Sequence, residues 1–274
     1  MNCNLLKLPL LNLVMLLAVL LPLHSAHAAA LDQSHAAFTA VLAKHVHWNP
    51  AGTASSVDYA GLAANRAPLD AYTQSLSGVT EAALKSYSKA QRRAFLINAY
   101  NAFTLQLILT QYPKLNSIKE LGSLFRSPWK KAFIKLLGKE VSLDDIEQTM
   151  IRAAPDFDDP RIHFAVNCAS IGCPALRPEA FVAAKLEAQL LDQTQRFLRD
   201  RSRNAYQAKS GVLMLSSIFD WYGDDFVKHS KSVSAFLSNY AASLGLKDAE
   251  LAKLKSEQIE IDFFDYDWSL NAKR

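Results

Sequence analysis

The chain has 274 residues, half of them hydrophobic, and 30 basic side chains against 26 acidic ones. That length and apolar content suffice for a self-supporting core without disulfide staples. A formal charge of +4 gives no argument for nucleic acid as a partner or for strong attachment to a membrane surface.

Lys7 is the only charged side chain ahead of an apolar run from Leu8 to Leu23, which is short for a membrane span. Ala26-His27-Ala28 follows with the small-x-small pattern of a signal-peptidase site. These features predict a signal peptide over residues 1–28, cleavage after Ala28, and a periplasmic or secreted protein with no stable membrane insertion afterwards. Cys3 precedes the apolar run and leaves with the leader, so the mature chain keeps Cys168 and Cys173. No repeat, low-complexity tract or long linker interrupts the rest, and residues 29–274 read as a single domain.

Residues 33–47 have helical spacing through Phe38, Val41, Leu42 and His45, and a second helix is expected from Tyr59 to about Ser75. The strongest helix starts at the cap Ser88 and carries Phe95, Leu96, Tyr100, Phe103, Leu107 and Ile108 before Tyr112-Pro113 ends it. Asn98 and Asn101 lie one turn apart on its buried side. An unpartnered buried amide costs about 1–3 kcal/mol, so both are expected to be hydrogen-bonded to a strand edge or across a cleft. Glu140-Val141-Ser142 reads as a brief strand, with Ser142 capping a helix that carries Asp144, Asp145, Ile146, Glu147 and Ile151. Asp144 and Asp145 need no more than the helix-dipole explanation, whereas Glu147 flanks the buried stripe. It is either an ordinary first-turn carboxylate or an orienting partner for an imidazole.

His163-Phe164-Ala165-Val166-Asn167-Cys168-Ala169-Ser170-Ile171-Gly172-Cys173-Pro174 is the most informative stretch. Residues 161–167 alternate as a short buried strand, with Cys168 at its end and small residues following. Strict alternation puts His163 and Cys168 on opposite faces, so contact between them requires a bulge or turn near Asn167. A further helix is expected from Pro178 to about Leu198, a strand at 212–215, a helix from Val233 to Leu244 and a strand at 259–263. The expected fold class is α+β, mainly helical with a small, mostly antiparallel sheet.

Three functional classes compete for the cysteine block. A thiol enzyme needs a nucleophile, a base, an orienting group and oxyanion donors. Cys168, His163, and Glu147 or Asn98 fill the first three roles, and backbone amides from Ala169 to Gly172 are candidates for the fourth. The reaction would be hydrolysis or acyl transfer at an amide, ester or thioester of an unspecified small-molecule or peptide substrate, without a cofactor. Metal binding is the weaker rival, because His-x4-Cys-x4-Cys is not a standard zinc spacing and His35, His45, His47 and His229 complete no motif. The third class is a non-catalytic periplasmic binding or assembly module. There Cys168–Cys173 is a structural disulfide and Trp221, Tyr222, Tyr266 and Trp268 pack by default in the core, although such rings also line carbohydrate or peptide grooves.

Four spaced blocks occur in one order: Phe95-Leu96-Ile97-Asn98-Ala99-Tyr100-Asn101-Ala102, Val141-Ser142-Leu143-Asp144-Asp145-Ile146-Glu147, the stretch from His163 to Pro174, and Tyr266-Asp267-Trp268-Ser269-Leu270-Asn271. Together they resemble the family catalogued as domain of unknown function 547, over roughly residues 85–225 and the C-terminus. That resemblance implies family membership and assigns no activity. The buried helix followed by a strand bearing His163 is more distantly similar to transglutaminase-like and papain-like thiol enzymes, which implies their fold and a thiol mechanism. Those enzymes place the cysteine at a helix start before the histidine, whereas Cys168 follows His163.

Overall fold

A computed structural model describes residues 31–123, 126–153 and 158–273. The expected leader, residues 1–28, lies outside them. The fold is α+β and mainly helical. The first helix, α1 (Ala36–His45), runs directly into β1 (Val46–Trp48), which pairs antiparallel with β2 (Ser55–Val57). The helix expected from Tyr59 to Ser75 is two helices, α2 (Tyr59–Ala64) and α3 (Ala67–Ser77). The break falls just ahead of Pro68, in the first turn of α3, because proline offers no amide to continue a helix from the preceding turn.

After the short α4 (Glu81–Ser86) comes α5 (Lys89–Leu109), which opens with a reciprocal capping box between Ser88 and Gln91. Every residue from Arg93 to Leu105 is buried. A helix covered on all sides is a core element, and each fully buried Phe or Leu on it contributes about 1.5–3 kcal/mol. The hairpin β3 (Ile134–Leu136) and β4 (Lys139–Val141) follows, turned by Leu137 and Gly138, both at positive φ.

The helix after Ser142 winds as a π-helix, Asp145–Arg152, with the Ala153 amide donating five residues back to the Gln148 carbonyl. Ser142 and Asp145 cap its start reciprocally. The wide winding brings residues five apart into register, which buries Ile146 and Ile151 together and sets Glu147 in line with Arg152.

Residues 161–167 are not a strand. Pro160–Phe164 form a 3-10 turn, its start capped by Asp159, which is also ion-paired to Arg93 of α5 and to Arg161. Packing overrides the alternation. Ile162, Ala165 and Val166 enter the apolar cluster around α5, while Phe164 enters a second cluster with Phe197, Phe219, Phe226 and Phe236. His163 therefore sits at the seam between the two cores.

The helix expected from Pro178 begins only at Leu186, as α6 (Leu186–Arg199). Upstream, the side-chain amides of Asn98 and Gln189 take the backbone groups of residues 180–182 that helical bonding would use. A three-stranded sheet then forms from β5 (Ala205–Gln207), β6 (Val212–Ser216) and β7 (Glu260–Phe264), with β6 and β7 parallel and β5 antiparallel to β6. Between β6 and β7 lie α7 (Ile218–Trp221), α8 (Gly223–Ser230), α9 (Val233–Ser238), α10 (Ala241–Leu244) and α11 (Asp248–Lys255); the expected helix at 233–244 is thus divided at Asn239-Tyr240. The C-terminal segment returns across the cysteine loop, where Ile171 and Gly172 donate to the carbonyls of Ser269 and Asp267 and Asn271 donates to that of Ala169. No helix among the described residues is long and apolar enough to cross a membrane.

Candidate active site

A cavity of about 220 Å³ opens at the seam between the two apolar clusters. Its wall includes His163, Cys168, Cys173 and Glu147, together with the rings of Tyr100, Trp129, Trp221, Tyr222, Tyr266 and Trp268. His163 and Cys168 share this cavity because the chain turns between them. The 3-10 turn ends at Ala165, and Ala169 adopts a left-handed φ of 62°, a conformation rare without glycine and common at functional loops. Gly172 is needed for close approach, since a Cβ there would lie 2.9 Å from the Tyr266 ring.

Cys168 and Cys173 are joined in a disulfide, with Cα atoms 6.0 Å apart. Cys173 is buried, while Cys168 is half-buried at the cavity wall. Around the Cys168 sulfur stand the hydroxyls of Ser170 at 3.0 Å and Tyr266 at 3.2 Å. The amides expected to form an oxyanion hole are mostly committed. Ala169 donates to the Asn167 side chain at 2.9 Å, and Ile171 and Gly172 donate to the C-terminal segment, each at 2.8 Å.

His163 is 2% exposed and stacks on Tyr222 with ring centroids 4.0 Å apart. Its Nε2 lies 2.7 Å from Oδ2 of Asp225, and the same carboxylate receives Arg152 in two-pronged fashion, Nε at 2.6 Å and Nη2 at 2.9 Å. Burial works against the Asp225 charge, but the hydrogen bonds and charges of His163 and Arg152 outweigh it and hold the carboxyl well below the usual range. An ionised carboxylate can only accept, so Nε2 carries the proton of that bond. The other ring nitrogen, Nδ1, is buried and has no hydrogen-bond partner among the described residues.

Glu147 is also buried and lines the cavity, but it is not the partner of His163. Oε1 of Glu147 accepts from the Tyr222 hydroxyl at 2.7 Å, and Tyr100 hydrogen-bonds it as well, itself bonded by Trp129. Burial and the Glu147 charge push both tyrosines well above the ordinary phenol value, so they remain donors. The π-helix explains the arrangement: Glu147 and Arg152 line up along it, and the Tyr222 ring lies under Arg152, 4.8 Å away, while its hydroxyl reaches Glu147.

Asn98 does not belong to the cavity wall. It pairs with both backbone groups of Phe181, at 2.9 and 2.7 Å, and Asn101 likewise bridges the Ala165 carbonyl and the Asn167 amide. Both are structural clamps, and Asn101 fixes the loop that leads into Cys168. The functional groups missing from the sequence reading are Asp225 and Arg152, together with the bond from the Tyr222 hydroxyl to Glu147. Asp225 sits in the first turn of α8, where an acid has the ordinary helix-dipole explanation, and 62 residues separate it from His163. No local signal distinguishes it. Trp221, Tyr266 and Trp268 wall the cavity, Tyr266 also packing against the second apolar cluster, and Trp221 is 46% exposed. Among the described residues, no three His, Cys, Asp or Glu side chains group so as to hold a metal ion.

Among known proteins, a model of the family described as "Protein of unknown function, DUF547" matches residues 84–198. That span contains α5, the π-helix, His163 and both cysteines. No curated protein and no solved structure matches the chain.

Proposed function

We propose that this chain, which belongs over residues 84–198 to the DUF547 family of proteins of unknown function, is an exported thiol-dependent hydrolase or acyltransferase whose nucleophile is Cys168. The observation that supports this most is the shared cavity wall of Cys168 and His163, with Nδ1 of the imidazole unbonded and Nε2 held by Asp225. That is a base with an orienting carboxylate in the same cavity wall as a sulfur. The oxidised form holds the nucleophile in reserve. A dithiol reductant transfers two electrons and two protons to the bridge, becoming a disulfide itself and leaving Cys168 and Cys173 as thiols.

The Cys168 thiol then gives its proton to Nδ1 of His163, and the thiolate attacks the carbonyl carbon of an amide, ester or thioester. The leaving group departs with the proton from His163, giving an acyl-enzyme thioester. Water, deprotonated by the same imidazole, cleaves it and restores the thiol; another nucleophile in place of water gives acyl transfer. The Ser170 and Tyr266 hydroxyls are positioned to stabilise a thiolate. The Cys168 amide, which donates to the Cys173 sulfur in the bridged form, becomes a backbone donor for the oxyanion once the bridge is reduced.

The test is labelling of the reduced protein with iodoacetamide across a pH series, read by mass spectrometry of peptides. Cys168 labels faster than Cys173, and His163→Ala slows the labelling of Cys168. Equal, slow labelling that is unaffected by His163→Ala overturns the proposal. The second reading, a non-catalytic binding or assembly module, is favoured by the disulfide itself and by the commitment of the Ala169, Ile171 and Gly172 amides. Titration of free thiol in protein purified from its native compartment separates the two. A bridge that resists mild reductant favours the binding module.

Export follows from the sequence of residues 1–28 and a periplasmic or secreted location from the same residues. N-terminal sequencing of exported protein is expected to begin at Ala29, and a retained leader would reject it.

A further inference from the structure

The cavity that holds Cys168 has an electrostatic character the thiol chemistry does not use. Six aromatic residues line it, along with the carboxylates of Asp144 and Glu147, and among the described residues no lysine or arginine does. Glu147 is 6% exposed and bonded by tyrosine hydroxyls, with the Arg152 charge near it, yet among the described residues neither it nor Asp144 forms an ion pair. Of the charged groups that neighbour the lining, Arg152 pairs with Asp225, Arg203 pairs with Asp200, and Lys119 lies over Trp268. The charges on the lining itself are the two carboxylates. A buried carboxylate without a counter-ion is costly, and a cation entering the cavity would relieve that cost.

The rings add attraction of the same sign. Trp221 and Trp268 stack at 5.7 Å, Tyr266 lies 4.8 Å from Trp221 and 4.5 Å from Trp268, and Trp129 meets Trp268 edge-on at 5.8 Å. Aromatic faces carry partial negative charge and attract ammonium groups, most strongly when desolvated. One ring already does so. Lys119 Nζ, which does not line the cavity, sits 3.9 Å from the Trp268 centroid. Trp221 packs on Tyr266 and Trp268 on one side and still leaves 46% of its surface exposed.

Resting on the reading of this cavity as the substrate site, we propose that the substrate carries a cationic nitrogen, an alkylammonium group. It is held against the aromatic wall of Trp129, Trp221, Tyr266 and Trp268 and the carboxylates of Glu147 and Asp144, which leaves its acyl carbon to Cys168. An anionic substrate is repelled by the same two carboxylates, and a neutral one gains nothing from them.

The test uses the oxidised wild-type protein, in which no thiol can react, titrated at low salt with choline chloride and with its neutral carbon isostere, neohexanol. Calorimetry and tryptophan fluorescence are the readouts. Choline binds saturably and quenches fluorescence, and neohexanol binds at least about tenfold more weakly. Glu147→Gln brings choline down to the level of neohexanol. Trp221→Leu, at an exposed position that leaves the fold intact, weakens choline several-fold. Equal affinity for the two probes, absence of saturable choline binding, or choline binding unaltered in both variants overturns the proposal. Because binding is read on the oxidised form, choline affinity with an unreactive Cys168 rejects the thiol mechanism alone. A reactive Cys168 without choline affinity rejects the ammonium substrate alone.

Discussion

The interior of α5 and the seam that holds His163 bury polar groups equally deeply and treat them in opposite ways. Asn98 and Asn101 are 0% and 2% exposed, and both ends of each amide are matched to backbone groups of residues 181, 165 and 167. His163 is as buried as Asn101, but one of its nitrogens is tied to Asp225 and the other is unbonded beside a cavity. A fully satisfied buried amide stabilises and does nothing else. A half-satisfied imidazole gives up part of that stabilisation and retains a lone pair for chemistry. The difference separates the clamps of this protein from its candidate machinery.

The largest test of the contrast is Asn101→Leu, which strands both the Ala165 carbonyl and the Asn167 amide. Two orphaned groups at about 1–3 kcal/mol each set an expected loss of about 3 kcal/mol or more, read by urea denaturation. A variant as stable as wild type would dissolve the distinction. Asn98→Leu is expected to behave alike through Phe181.

Asp225→Asn comes next. It removes the charge that Arg152 and His163 share, at a cost of about 1–3 kcal/mol near neutral pH, kept moderate because the Asp225 and Arg152 side chains are each about a quarter exposed. Its pH dependence follows from the depressed carboxyl. A group held below its unfolded value contributes fully above that value, about 4 for aspartate, and loses the contribution as pH falls through the lower folded value. The stability gap between wild type and Asp225→Asn is therefore constant from pH 5 to 8 on about that scale and closes in acid. A gap that instead widens on acidification would contradict the ionised Asp225.

Tyr222→Phe keeps the ring over His163 and deletes one donor to Glu147, for an expected loss of about 0.5–1.5 kcal/mol in thermal melting. The smallest stability effect is expected from His163→Phe, below about 1 kcal/mol, because a phenyl ring retains the stacking on Tyr222 and Asp225 keeps Arg152. Iodoacetamide labelling of reduced Cys168 nonetheless slows in this variant. Opposite rankings for stability and thiol reactivity, with Asn101 leading the first and His163 the second, would sharpen the comparison most.

Local chemistry was sufficient for the elements whose determinants lie within a few residues. Ser88 marks the start of α5, its apolar periodicity announces a core helix, and residues 212–215 and 259–263 read as strands from their own residues. The burial of Asn98 and Asn101, and the need for them to be bonded, also followed from helical spacing. Tertiary packing decided the rest. Whether residues 161–167 extend or coil depended on two apolar clusters competing for Ile162 and Phe164, and the segment from Pro178 stayed non-helical because Asn98 and Gln189 took its backbone bonds. The partner of His163 was Asp225 and not Glu147, since the π-winding aimed Glu147 at Tyr222 and the packing of α8 brought Asp225 within reach from 62 residues away. Periodicity encodes which face of an element is buried, but a hydrogen bond between distant elements depends on how those faces dock, and no single stretch of sequence carries that information.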